Sequence, residues 1–158
     1  MPSRASEDGG PGRKVPGPSS FREASVARIT FDGTIPVLRI FSIDKAREFY
    51  CDYLGFRVDW EHRFEPDLPL YMQVSRDGLI LHLSEHQGDA TPGSRIYVQI
   101  RGLDVLHREM AGRDDCSLRP VVEDAPWGGR VMELTDPFGN RITFAEAAEP
   151  EGEDEPSP

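Results

Sequence analysis

Two tight-turn signals stand at the same distance from two strand-like runs, and that spacing limits the fold more than any other feature. Asp77-Gly78 follows Arg39 by 38 residues, and Asp136-Pro137 follows Val98 by 38. In both places the order reads strand, helix, then three strands. A fixed offset between matching signals is the mark of an internal duplication. The expected architecture is α+β: two βαβββ modules, each with a mixed sheet and one helix packed on one face. The other face is left polar and aromatic, and it curves because sheets twist.

In the first module, residues 35–41 read as the first firm strand, with Pro36 near its start, where a missing N–H does least harm. Residues 27–31 could add an edge strand. Ser42 or Asp44 can cap the helix that follows. Ala46, Phe49, Tyr50, Tyr53 and Leu54 fall on one helical stripe, and Gly55 closes it. Residues 56–64 read as a strand with Phe56, Val58, Trp60, His62 and Phe64 on one face. Residues 70–75 and 79–84 then form a hairpin about the tight Asp77-Gly78 turn.

After a Gly- and Pro-containing linker over 87–94, the order starts again. Residues 95–100 alternate Ile96, Val98 and Ile100 with Arg95, Tyr97 and Gln99. Asp104 is expected to cap a shorter helix carrying Leu106 and Met110, with Gly112 as its stop. Residues 118–122 make a weak strand. The stretch PWGGRVMELTDPFGNRITFAE, residues 126–146, closes the unit as strand, turn, strand. In its turn, proline presets φ and glycine supplies a backbone angle that other residues resist.

Composition places the ends outside this unit. Residues 1–23 are dominated by Gly, Pro, Ser and charge, and 147–158 are acidic and proline-rich. Both are expected as disordered tails around a folding unit at 24–146, with module 1 at about 33–86 and module 2 at about 95–146. The net charge of −10 argues against a nucleic-acid partner and mildly favours cationic ligands. No apolar run approaches the ~20 residues a membrane span needs, and the N-terminus lacks the apolar core of a secretory signal. With only Cys51 and Cys116 in unrelated contexts, a soluble, reduced protein of the cytoplasm is expected.

Candidate site residues come from the polar, aromatic sheet face. Trp60 and Trp127 could stack on a planar ligand, because aromatic faces give large contact area at little entropy cost; ordinary core or dimer packing is the alternative. His62 and Phe64 share the Trp60 face. Tyr71, Gln73 and Tyr97 follow from strand parity. Glu133, mid-strand, could bind a cationic group, act as a base if desolvated, or point into water. His82 and His86, with Glu85 between them, raise a local metal site, although zinc usually takes three or four protein ligands. A polar groove wall and a solvated loop are the preferred reading. His107 is expected on the surface. No catalytic constellation is visible.

The segments VLRIFSIDKAREFYCDYLGF and DPFGN make the chain similar to the vicinal-oxygen-chelate superfamily (glyoxalase, bleomycin resistance, dioxygenase). DWEHRF…LPLYMQVSR and PWGG…DPFGN resemble its bleomycin-resistance branch. The resemblance covers roughly residues 35–146. It implies a homodimer with two drug grooves across the subunit interface. It also implies four metal-ligand positions, which here match Ile35, His82, Arg95 and Thr143. Of these only His82 is a plausible ligand, so no metal and no cofactor are expected. The resemblance implies a metal-independent small-molecule binder that confers resistance to a bleomycin-type antibiotic by sequestration. The alternative is a superfamily lyase, isomerase or dioxygenase with a rebuilt metal site around His82.

Overall fold

A computed structural model describes residues 27–113 and 118–150. The chain divides into two units, Met1–Gly33 and Thr34–Pro158. The expected tail at 1–23, the last eight residues of the acidic tail (151–158) and Cys116 lie outside the described residues. In the first unit, residues 27–31 form no strand, and Ile29 and Phe31 are exposed. The edge strand expected there has no sheet ladder to join.

The second unit holds two four-stranded mixed sheets of matching topology. The first is ordered β1-β4-β3-β2, from Val37–Arg39, Leu79–Ser84, Tyr71–Arg76 and Arg57–His62. The second is ordered β5-β8-β7-β6, from Arg95–Gln99, Arg141–Glu146, Arg130–Thr135 and Val122–Asp124. In each the opening strand runs parallel to the last strand of its module, and the other pairs are antiparallel. This is the expected pair of βαβββ modules.

Helix α1 (Ile43–Ala46) begins where expected: Ser42 Oγ accepts from Lys45 N at 3.3 Å. It then widens into a π-helical segment, Arg47–Tyr53, which the periodicity did not predict. The expected stripe is buried, from Ala46 through Phe49, Tyr50 and Tyr53 to Leu54. It packs with Leu38, Met72, Val74, Leu81 and Leu83 of the first sheet and with Met132, Leu134, Ile142 and Phe144 of the second, in one core. Helix α2 (Leu103–Ala111) contributes Leu103, Leu106 and Met110 to the same core.

Three element ends and the placement of one histidine differ from expectation. The first strand is only Val37–Arg39, although Pro36 O and Ile40 N still bond His82 N and Ser84 O at 3.0 and 2.9 Å. Asp104 does not cap α2. Gly102 occupies that place at φ +88°, and the Glu146 carboxylate receives Gly102 N and Leu103 N instead. The weak strand moves from 118–122 to Val122–Asp124, since Pro120 has no N–H to give a ladder. His107 is half-buried, with Nε2 3.0 Å from Pro120 O.

The late turn has a second role beyond reversing the chain. Asp136 Oδ1 receives Phe138 N and Asn140 N at 2.9 and 2.8 Å, while Oδ2 receives Tyr50 Oη at 2.7 Å and Asn140 Nδ2 at 2.8 Å. Asn140 Nδ2 also reaches Arg39 O at 2.7 Å. The DPFGN turn of the second module therefore grips the helix and first strand of the first. Among the described residues no helix is long and apolar enough to cross a membrane.

Candidate functional site

The largest departure from the sequence pattern creates the site. Strand β2 was expected to carry Phe56, Val58, Trp60, His62 and Phe64 on one face. Instead, Val58 pairs with Val74 and Trp60 with Gln73, so Asp59 is the extra residue of a β-bulge. A bulge sets two residues against one and re-aims the side chains beyond it. Phe56 is buried in the core, while Trp60 and His62 swing to the open face of the sheet beside Gln73 and Tyr71. The strand ends at His62, and Phe64 lies 73 % exposed in the following loop.

On that open face the aromatic and polar groups interlock. The Trp60 and Tyr71 rings are nearly parallel, 9° between planes and 6.0 Å between centroids. The His82 imidazole meets both edge-on, at 5.3 and 5.2 Å. A hydrogen-bonded row runs beneath them. Tyr71 Oη is 2.8 Å from His82 Nδ1, and His82 Nε2 is 3.0 Å from Gln73 Oε1. Gln73 Nε2 donates to Asp59 Oδ2 at 3.0 Å, while Ser75 Oγ and Arg57 Nε donate to Asp59 Oδ1. Bonds from Gln73 and Ser75 hold the Asp59 carboxyl below the usual range. Burial lowers the proton affinity of His82 and, with the nearby Asp89 charge, raises that of Tyr71. Asp59, Gln73 and Ser75 also line a depression of about 760 Å³ that reaches the Asp77-Gly78 turn.

The remaining expected residues are brought together less. His62 meets Phe64 edge-on at 4.9 Å, and Phe64 meets His86 at 6.0 Å. Tyr97 stands exposed on the open face of the second sheet, paired with Thr143. Glu133 on that face is 2.8 Å from the Arg95 guanidinium. Trp127 is 71 % exposed in the turn between β6 and β7. Among the described residues no ring contact joins it to Trp60. Sequence reasoning missed Asp59, which anchors the row. Its only signal was a carboxylate inside an aromatic strand.

The four positions that the resemblance matches to metal ligands, Ile35, His82, Arg95 and Thr143, do not suit a metal ion. Both His82 ring nitrogens are engaged in the row. Thr143 Oγ1 is 3.1 Å from Arg95 Nε, which puts a fixed positive charge where a cation would sit. Ile35 offers no donor atom. Glu85 turns away from His82 and His86 to receive Leu70 N at 2.9 Å. Among the described residues no three His, Cys, Asp or Glu side chains converge on one point.

A family model described as glyoxalase superfamily protein matches residues 20–151. No curated protein matches the sequence. Among solved structures, a bleomycin-binding protein complexed with bleomycin is 22 % identical, with a TM-score of 0.57 over 73 % of this chain and 98 % of that one. A bleomycin resistance determinant encoded on the transposon Tn5 is also 22 % identical, with a TM-score of 0.58 over 74 % and 98 %. TnmS3, an antibiotic binding protein from Streptomyces sp. CB03234, is 19 % identical, with a TM-score of 0.59 over 77 % and 100 %. At such identities the likeness is one of fold.

Proposed function

The chain belongs to the glyoxalase superfamily, and on that footing we propose that it binds a cationic, aromatic-bearing small molecule of the bleomycin type without a metal. Resistance would follow from sequestration, by stoichiometric capture rather than turnover. One observation carries this reading: Trp60, Tyr71 and His82 form a partly exposed aromatic cluster fixed by polar bonds on an open sheet face. Rings locked in this way offer stacking area with little entropy left to lose on binding. Asp59 and the net charge of −10 suit a positively charged ligand. Three solved structures of similar fold bear names that mention bleomycin or an antibiotic.

The functional form in this proposal is a homodimer in the cytoplasm, built from a folding unit at 24–146. Its modules are placed at about 33–86 and 95–146. The open faces, with Tyr97 and Trp127 exposed, would complete each groove across the subunit interface. Capture protects a cell only when the protein rivals the drug in concentration and the dissociation constant is about micromolar or lower.

Calorimetric titration with metal-free and copper-bound bleomycin tests this directly. The expected result is saturable binding that Trp60→Ala weakens about tenfold or more, with a smaller loss in Trp127→Ala. Affinity unchanged in both variants would sink the proposal. Stoichiometric zinc, nickel, iron or manganese in mildly purified protein would favour a superfamily enzyme in its place.

A further inference from the structure

The row beneath the aromatic cluster has a direction, and the direction determines what the site can offer a ligand. An ionised carboxylate only accepts hydrogen bonds. Asp59 therefore orients the Gln73 amide with its nitrogen toward the carboxylate and its oxygen toward His82. That oxygen also only accepts, so His82 Nε2 must carry a proton. In the neutral ring, Nδ1 is then bare and accepts. The group beside Nδ1 is the Tyr71 hydroxyl at 2.8 Å, whose single proton is committed to the imidazole. What Tyr71 turns to the open face is oxygen lone pairs.

We infer that the Trp60–Tyr71 site is an acceptor site, selective for ligands that bring an N–H donor on a cation, such as a primary ammonium or amidinium, beside an aromatic ring. This rests on the binding role proposed above and narrows its ligand class. Two further features favour the same class. Ser84 Oγ holds the Asp89 carboxylate at 2.6 Å, and Asp89 is close enough to Tyr71 to raise its proton affinity, so its field also favours a positive charge there. The Trp60 and Tyr71 faces attract cations through their quadrupoles. A carboxylate ligand would meet lone pairs and negative charge, and a quaternary ammonium would have no proton to give Tyr71.

The tautomer can be read without any ligand. Long-range nitrogen–proton NMR of the imidazoles, at about pH 8 where a histidine is neutral, should show His82 protonated on Nε2 with Nδ1 bare. Protonation on Nδ1, or an even mixture, would overturn the inference whatever the protein binds.

The ligand class is tested with three probes sharing one aryl group: 3-phenylpropylamine, its N,N,N-trimethyl derivative and 4-phenylbutyrate. Binding is followed by the His82 and Trp60 side-chain signals. The primary amine should bind about tenfold more tightly than the trimethyl cation, and Tyr71→Phe should bring the two level. Should Trp60→Ala abolish binding of all probes while wild type holds both cations equally, or holds the carboxylate best, the acceptor rule fails and the aromatic site stands. Should none of the probes disturb either signal, the site reading falls and the inference with it.

Discussion

Tyr50 and Asp136, 86 residues apart in the chain, share a buried hydrogen bond of 2.7 Å from the phenol to the carboxylate. One belongs to the helix of the first module and the other to the last turn of the second. Burial, reinforced by the Asp136 charge, pushes the Tyr50 phenol well above its ordinary pKa, so it stays a donor. Tyr50→Phe removes one donor to a buried charged group and should cost about 1.5–3 kcal/mol. Asp136→Ala strands the donors of Tyr50, Phe138 and Asn140 together and should cost about 4 kcal/mol or more. Denaturant titrations of both variants check the order. An Asp136→Ala no worse than Tyr50→Phe would show that the turn does not clasp the two modules.

The two adjacent glycines after Trp127 should respond differently to alanine. Both hold left-handed backbone, with φ +90° at Gly128 and +86° at Gly129. A Cβ at Gly128 meets open space, whereas one at Gly129 collides with the backbone oxygen of Glu146. Gly128→Ala should therefore cost only the left-handed strain, about 1–2 kcal/mol. Gly129→Ala should cost clearly more, because the β7–β8 edge must shift. Thermal midpoints of the two variants decide it, and equal losses would mean that the strand end yields freely.

How legible this was in the sequence depends on the range of the interactions. The duplicated order, the hairpins and the buried stripe through Phe49, Tyr50 and Tyr53 were readable because periodicity and turn chemistry are local. The bulge at Asp59 was not, because an extra residue shows only against a partner strand. Strict alternation therefore put Trp60 with Phe56, when the two lie on opposite faces. The capping of α2 by Glu146 was hidden for a similar reason, since the cap lies 44 residues from Gly102. For the site, Tyr71 and Gln73 could be named from strand parity, Trp60 from its ring, and His82 as the one plausible ligand among the positions that the resemblance implies. Their order in one hydrogen-bonded row required the register.

His82 gives stability a pH dependence of definite sign. Burial lowers its pKa below the ordinary 6.5, so the unfolded chain takes up the proton first. The contribution is full above about 6.5 and is lost as the pH falls from there through the lowered folded value. The Asp59 carboxyl, held below its own usual range, remains charged through that interval. Urea midpoints should fall between about pH 7 and pH 5, and His82→Gln should flatten that step. A step of the same size in the variant would assign it to another group.

The Arg95 guanidinium lies 3.1 Å from Thr143 Oγ1 and 2.8 Å from Glu133, and Arg95 and Thr143 are two of the positions that the resemblance matches to metal ligands. The ion pair is half-exposed on both sides, so it adds little to stability, about 0–1 kcal/mol. Its larger effect is to keep a positive charge at that position. Removing the charge by Arg95→Gln leaves Glu133, among the described residues, with only the Thr143 hydroxyl as partner. It supplies no second or third strong ligand, since Thr143 offers only a neutral hydroxyl and His82 lies in the other sheet. Equilibrium dialysis against zinc should therefore find no stoichiometric tight binding in either wild type or Arg95→Gln. Uptake of one zinc ion by the variant alone would show that the guanidinium was the sole barrier. Uptake by wild type would show that donors gather there in a way the open sheet face does not display.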